Sequence, residues 1–550
     1  MPGLALMVVA FGLFGLTVGG GWPDGPDAVP AVGSPGWWLL TLALHLPLVV
    51  ILPFLVGGLV ERLGYFRHGR TPAVPGRLPV RLPRVCVQLP MFNEHAVARR
   101  VIEAACALIW PPDRLTVQVL DDSTDEDTRA LVKSICAKLR AATGVDCVVL
   151  HRADRVGYKA GALEAGRRRT NAEYLAIFDA DFVPPRDYLL RTVPHFHRAD
   201  GTSDEGLAVV QAQWGHLNHD DSALTRAQSL WVDDHHTLQM SWRAARWRFV
   251  NFTGTAGVWR ASAIDAVGGW RAASLVEDCE LSFRALFAGY RTTFVKEIVV
   301  PAELPATYTA YKAQQRRWTR GWVQLQRLHL ARLALRHRTP WPRRLHLLYH
   351  MCIPWQWPAW AIWVTLLPFL VAHDLWLGAY GSAAGLAVYL APTALWTTLA
   401  ATLASLETRR TYAGPMTPRV LARRIARVLP YTVINIGMLP HQFSAFCEGL
   451  LGPMHGEFER TPKAGSGVGG APRYRVRIHW PYVVAEVAFG GYQLAWAAVF
   501  AAQGRYLWAA GAAVVAACVL TLTVRYGDHA DRPRLDDAPA VPRAHATARR

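Results

Sequence analysis

The stretch Leu175-Ala176-Ile177-Phe178-Asp179-Ala180-Asp181-Phe182 sets an apolar run of strand length directly against two acidic residues. Similar runs stand at Val85–Leu89, followed by Phe92-Asn93-Glu94, at Leu115–Leu120, followed by Asp121-Asp122, and at Leu207–Gln213. Longer segments of helical periodicity separate them. Short apolar runs alternating with helices predict an α/β domain built on a mainly parallel sheet, over residues 85–340. In an open sheet of this kind the ligand crevice lies outside the carboxyl ends of the strands, so the polar residues after each run are the first candidates for a site.

Outward from this domain the chain becomes apolar. It has 550 residues, 52% of them hydrophobic, and a formal net charge of +18. Apolar runs at Leu4–Val18, Trp37–Leu59, Leu345–Leu370, Ala383–Leu403, Pro481–Ala502 and Leu507–Val524 predict about six spans of a hydrocarbon core roughly 30 Å thick. Arg62, Arg67, Arg70, Arg77, Arg81 and Arg84 follow the second run, and Arg409 and Arg410 follow the fourth. Basic clusters stay on the cytoplasmic side, which places the α/β domain in the cytosol of a protein integral to a plasma or inner membrane. Pro418–Leu451 mixes Arg419, Arg423, Arg424 and Arg427 with aliphatic residues and is read as an interfacial amphipathic helix. The expected organisation is spans in 1–60, a cytosolic linker in 61–84, the α/β domain in 85–340 and a span pair in 341–410. Interfacial helices follow in 411–475, a second span pair in 476–526 and a disordered cytosolic tail in 527–550. Because the arginines sit beside the apolar runs, the positive charge is accounted for by membrane lipids and topology, with no nucleic acid partner. The eight cysteines form no CxxC pair and suit a reducing compartment.

No GxGxxG follows a strand and no GxxxxGK[ST] occurs, so a nucleotide's phosphates would have to be met by a metal or by basic side chains. Asp179 and Asp181, two apart at a strand end, would put both carboxylates on one side of the backbone, where they suit a hard divalent cation shared with a diphosphate; an acidic turn is the plain alternative. Asp121 and Asp122 have capping of the next helix as theirs. In Val276-Glu277-Asp278-Cys279-Glu280 a carboxylate can serve as a general base, or simply favour the positive end of a helix. Gln314-Gln315-Arg316-Arg317-Trp318 joins a guanidinium, which matches phosphate oxygens, to an aromatic face suited to a sugar ring; a basic helix anchored at the interface is the alternative. Lys159 stands before a helical pattern as a mobile point charge or an ordinary surface lysine. His151, His195 and His197 lack metal-ligand spacing and are read as structural.

Taken in order, Leu89-Pro-Met-Phe92-Asn-Glu94, Asp121-Asp122, Tyr158-Lys159-Ala-Gly161, Asp179-Ala-Asp181, Val276-Glu277-Asp278 and Gln314-x-x-Arg317-Trp318 form a series that resembles the processive family-2 glycosyltransferases of the cellulose synthase superfamily. Within it the chain looks like the cellulose-synthase-like mannan and glucan synthases and their bacterial relatives. Val276 stands where the cellulose synthases have Thr, and Asn251–Gly257 is similar to the mannan-synthase branch. The resemblance implies a GT-A fold and an inverting transfer of a hexose from UDP-glucose or GDP-mannose to a growing β-glycan. Phe92, Glu94, Asp121, Asp122 and Lys159 would contact the nucleoside diphosphate. Asp179 and Asp181 would hold Mg²⁺ or Mn²⁺, and Asp278 would be the base. Gln314, Arg317 and Trp318 would stand at the acceptor entrance, with Arg317 near the diphosphate. Phe458-Glu-Arg460-Thr461-Pro-Lys463 is similar to a gating loop, with Arg460 where the family has Val, so Thr461 and Lys463 would close over the donor. The partners implied are a nucleotide-sugar donor, a glycan or lipid acceptor and accessory export subunits. Two other readings stay open: a non-processive enzyme adding one sugar to a lipid, and a non-catalytic transport or scaffold subunit.

Overall fold

Along β1 (Val85–Met91) successive side chains enter two different cores. Val85, Val87 and Leu89 pack with Val97, Val101, Val132 and Ile135, whereas Cys86 packs with Ala160, Leu163, Leu281 and Ala285. This period of two is what a sheet covered by helices on both faces requires, and it explains why the strands read as unbroken apolar runs. The computed structural model describes residues 2–19, 33–376, 417–426, 428–454, 456 and 478–525.

Six further strands join β1: β2 (Leu115–Asp121), β3 (Asp146–His151), β4 (Tyr174–Ile177), β5 (Leu207–His216), β6 (Gly257–Arg260) and β7 (Arg291–Ala302). Their order is β3-β2-β1-β4-β6-β5-β7, and every neighbouring pair is parallel except those that β6 makes with β4 and β5. The expected mainly parallel α/β domain is thus present. The antiparallel β6 has a consequence for the site, because its first residue, Gly257, pairs with Ile177 at the end of β4. The loop leading into β6 therefore arrives at the same sheet edge as the segment leaving β4.

Among the described residues three helices, Leu46–Gly69, Trp480–Ala502 and Tyr506–Val524, are long and apolar enough to cross a membrane. The last two coincide with expected spans. Two other expected spans are interrupted. Helices Pro35–Leu44 and Leu46–Gly64 meet at His45, with Pro47 in the first turn of the second, where its missing N–H costs no hydrogen bond. The run from Leu345 likewise breaks into helices Trp341–Cys352 and Gln356–Ala372 around Pro354. Pro418–Leu451 forms three helices, of which Leu439–Leu451 buries His441, Gln442 and Ser444. The expected span Ala383–Leu403, the gating-like residues Thr461 and Lys463 and the tail 527–550 lie outside the described residues.

The Leu46–Gly64 helix runs past its expected end and carries Glu61 and Arg62 into the protein. Glu61 receives Arg243 in a two-pronged pair, Nε to Oε1 at 2.6 Å and Nη2 to Oε2 at 2.9 Å, with both residues buried. Arg62 grips Asp234 in the same way, its Nε donating to Oδ1 at 2.9 Å. Removing one partner of such a pair leaves an uncompensated buried charge, whereas removing both does not. Glu61→Leu or Arg243→Leu alone should therefore destabilise the detergent-solubilised protein by roughly 3–5 kcal/mol. The double variant should recover most of that loss in thermal unfolding, and a double variant as unstable as the sum of the singles would count against the pair.

Candidate active site

Three segments distant in sequence converge beyond the ends of β1 and β4. The first leaves β4: Phe182 N–H donates to Asp179 O at 3.0 Å, so Asp179–Phe182 is a turn. This corrects the expectation from strand alternation, since β4 ends at Ile177, and it is the turn that carries Asp179 and Asp181 to the cavity wall. The second is the loop into β6. Thr255 Oγ1 accepts from the Asp179 N–H at 2.9 Å, and Gly254, at φ +83°, presents its carbonyl to Lys159. A Cβ at Gly254 would stand 2.9 Å from Asp278 Oδ2, so both conformation and space demand glycine there. The third is the start of helix Glu277–Phe287, whose first turn contains Glu277 and Asp278.

Lys159, in the first turn of helix Tyr158–Arg167, joins the three. Its Nζ donates to Asp179 Oδ1 at 2.6 Å and to Gly254 O at 2.9 Å. Burial works against its charge, but Asp179, Glu277 and Asp278 outweigh burial and hold its pKa above the ordinary lysine value. Burial raises the Asp278 carboxyl above its usual range, against the pull of Lys159. Glu277 is pushed up to about 7, first by burial and then by the charge of Asp278. A half-buried carboxylate held in this way has the basicity that proton abstraction needs.

Phe92, Glu94, Asp122, Gln314, Arg317 and Trp318 line the same cavity, which has a volume of about 930 Å³. Asp122 is bound by Arg152, with Nε to Oδ1 at 2.8 Å and Nη2 to Oδ2 at 2.5 Å. Asp121 is not among the lining residues; it is 1% exposed, and its Oδ1 accepts from the Ser123 N–H at 3.0 Å. Neither aspartate caps the next helix, a role that Asp125 fills through the Thr128 N–H at 2.9 Å. Asn93 ties the ends of β1 and β2 together, its Oδ1 accepting from the N–H groups of Thr124 and Asp125, each at 3.0 Å.

Two cavity residues escape the sequence reading. The Arg155 guanidinium lies 3.3 Å from the centre of the Phe92 ring, and Trp231 packs on Trp318 with ring centres 5.8 Å apart and planes inclined by 30°. Arg155 follows β3, and reading the apolar run Cys147–Leu150 as a strand would have drawn attention to it. Trp231 precedes His235 by one helical turn, and the two rings are stacked. The cavity continues past Trp318 between the apolar helices, where Trp360, Gln493 and Trp508 line it.

Among the described residues no group of three or more His, Cys, Asp and Glu side chains is arranged to hold a metal ion. The donors present fit a hard cation only in a shared site, in which Asp179 and Asp181 supply two carboxylates and the remaining oxygens come from a bound diphosphate and water.

Residues 174–404 match the family model described as glycosyl transferase family group 2. Over these residues the chain is similar to that family. The matched residues include Asp179, Asp181, Asp278, Gln314, Arg317 and Trp318, while Phe92, Glu94, Asp121, Asp122 and Lys159 precede them. The chain is 37% identical over 333 residues to glucomannan 4-beta-mannosyltransferase 9 of Arabidopsis thaliana, covering 59% of this chain and 61% of the relative. It is 40% identical over 272 residues to glucomannan 4-beta-mannosyltransferase 1 of Oryza sativa subsp. japonica, covering 49% and 51%. The matches thus span between half and three fifths of these relatives' own length. Among solved structures, the mannosyltransferase PcManGT of Pyrobaculum calidifontis, in complex with GDP-Man and Mn²⁺, is 19% identical, with a TM-score of 0.43 over 74% of this chain and 99% of that one.

The adjacent carboxyls of Glu277 and Asp278 generate a pH signature. Burial raises both carboxyls, Glu277 to about 7, so a base at Asp278 strengthens as Glu277 loses its proton beside it. Turnover should climb with pH and show an upper step near 7, which Glu277→Gln should remove. An upper step that persists in Glu277→Gln profiles would assign it to another group.

Proposed function

We propose that this protein is a membrane-embedded, inverting mannosyltransferase that extends a β-1,4-linked glycan from GDP-mannose, with its catalytic domain in the cytosol. The observation that carries the reading is the single cavity that begins at Lys159, Asp179 and Asp278 and continues past Trp318 between the apolar helices. A site adding one sugar to a lipid needs no such extension, whereas a lengthening polymer needs an exit lined by aromatic faces. The mannosyl donor is supported by the names of the relatives and by Val276 and Asn251–Gly257, which set the chain apart from the cellulose synthases. UDP-glucose is the competing donor.

In the proposed step the Asp278 carboxylate takes the proton from the acceptor hydroxyl, and that oxygen attacks the anomeric carbon on the face opposite the diphosphate. The bond between the anomeric carbon and the diphosphate oxygen breaks, and its electron pair leaves with the nucleoside diphosphate. Lys159 and Arg317 place positive charge in the cavity before any charge develops on the leaving group. A divalent cation bound by Asp179 and Asp181 would add Lewis-acid stabilisation of that diphosphate. Trp318 and Trp231 offer aromatic faces to the acceptor, and Phe92 with Arg155 borders the nucleoside side. Asp278 then returns its proton to water, and configuration inverts because there is one displacement.

The test is incorporation of labelled sugar from GDP-mannose and from UDP-glucose by the purified protein in proteoliposomes, with product size measured. A polymer made from GDP-mannose is expected. Asp278→Asn should lower turnover by about 10²–10⁴-fold and change donor affinity little. A single-sugar lipid product would defeat the polymerase reading, near-normal turnover of Asp278→Asn would remove it as the base, and no donor turnover would favour a scaffold role.

A further inference from the structure

The helix Tyr308–Ala331, which carries Gln314, Arg317 and Trp318, has two polar faces. Those three residues face the cavity. The other face carries Lys312, Arg316 and Arg320, four residues apart, each bound to a carboxylate of a neighbouring helix, while Thr319, between the two faces, lines the cavity and also binds a neighbouring helix. Lys312 Nζ donates to Glu486 Oε2 at 2.5 Å, with the two side chains 0% and 1% exposed. Glu486 belongs to the span Trp480–Ala502, and its carboxylate also takes the Thr523 hydroxyl at 2.9 Å. His441 stands 3.1 Å from Glu486 Oε1 through Nδ1 and 3.1 Å from Lys312 O through Nε2. One turn further on, Glu448 receives Arg316 at 2.7 and 2.9 Å, Arg320 at 3.1 Å and the Tyr482 hydroxyl at 2.6 Å. Thr319 donates to Gln442 Oε1 at 2.5 Å.

A polar ladder of this density is an unusual way to pack a helix against spans. Apolar side chains of similar volume bury at no desolvation cost, and replacing buried ion pairs with them is often neutral or stabilising. What the ladder supplies instead is a fixed rotation, because each charge pair is directional and turning the helix about its axis would strand every charge. We propose that Glu486 and Glu448 are positioning residues for the acceptor: they set the rotation of the Tyr308–Ala331 helix and so the place of Gln314, Arg317 and Trp318 in the cavity. They act through Lys312, Arg316 and Arg320 and touch no substrate themselves. The cluster that binds the donor's side of the site, Lys159 with Asp179 and Gly254, lies on other elements and does not depend on the ladder. The acceptor part of the proposal rests on the transferase reading; the positioning part does not.

The test compares the unmodified protein with Lys312→Met/Glu486→Gln, which removes both charges together, and with Glu448→Gln, in proteoliposomes and by hydrogen exchange. In the double variant the donor KM should stay within about twofold, because Lys159 and Asp179 lie on other elements, while the acceptor KM rises about tenfold, equivalent to about 1.4 kcal/mol of lost acceptor binding. Products should shorten. Exchange of the amides from 314 to 322 should quicken at least about tenfold in both variants, with thermal unfolding of the double variant close to that of the unmodified protein. Unchanged exchange in these amides overturns the positioning role whether or not the protein turns over donor. Donor KM and acceptor KM rising together also overturn it, since that pattern marks a merely structural role. Absence of turnover in the unmodified protein defeats the transferase reading alone, and the exchange arm still decides the ladder.

Discussion

One ammonium lets three carboxylates share a cavity. Asp179, Glu277 and Asp278 come from a turn after β4 and from the first turn of a helix about a hundred residues later, and their mutual repulsion would drive the segments apart or force protons onto them. Lys159 offsets that repulsion, and it does so from a third place, the first turn of the helix Tyr158–Arg167. Its second hydrogen bond, to Gly254 O, ties in the loop before β6. The antiparallel entry of β6 follows from the same demand, for only a strand running against β4 delivers its preceding loop to the edge where β4 ends.

The membrane helices obey a related constraint. A charge carried to the end of an apolar span must be paired, and in this protein the partners of Glu61, Arg62 and Glu486 all lie on segments that form the cavity wall or carry it. Asp234 begins a π-helical turn, Asp234–Met240, whose His235 stacks on Trp231, and Trp231 in turn packs on Trp318. The opposite wall is held through Lys312. The apolar helices and the α/β domain are therefore joined by directional contacts, so the geometry of the site and the placement of those helices form one problem in packing.

The legible part of the sequence was the part governed by local pattern. Runs such as Val85–Leu89 and Leu115–Leu120 became β1 and β2 because a strand covered on both faces must be apolar throughout. The strand β6, Gly257–Arg260, has only four residues and owes its existence to pairing on both sides, which no local pattern records. Asp179 and Asp181 line the cavity through a turn, where strand alternation suggests one side of an extended backbone. Asp121 was misplaced because adjacent residues at a strand end point to opposite sides, and only Asp122 faces the cavity. The continuous apolar run Trp37–Leu59 concealed a break at His45, since hydropathy is blind to backbone hydrogen bonding. Arg155 and Trp231 were missed because their meaning depends on Phe92 and Trp318, more than sixty residues away in sequence.

The proposed transfer is a single displacement at the anomeric carbon, with one base and one leaving group in one cavity. Stereochemistry reports on that claim more directly than any rate, because a covalent glycosyl-enzyme intermediate would add a second displacement and restore the donor's configuration. The decisive measurement is the anomeric configuration of the first bond formed from an α-linked GDP-mannose, read by NMR on the isolated product before any degradation. The account predicts a β-linkage, and an α-linkage would contradict it.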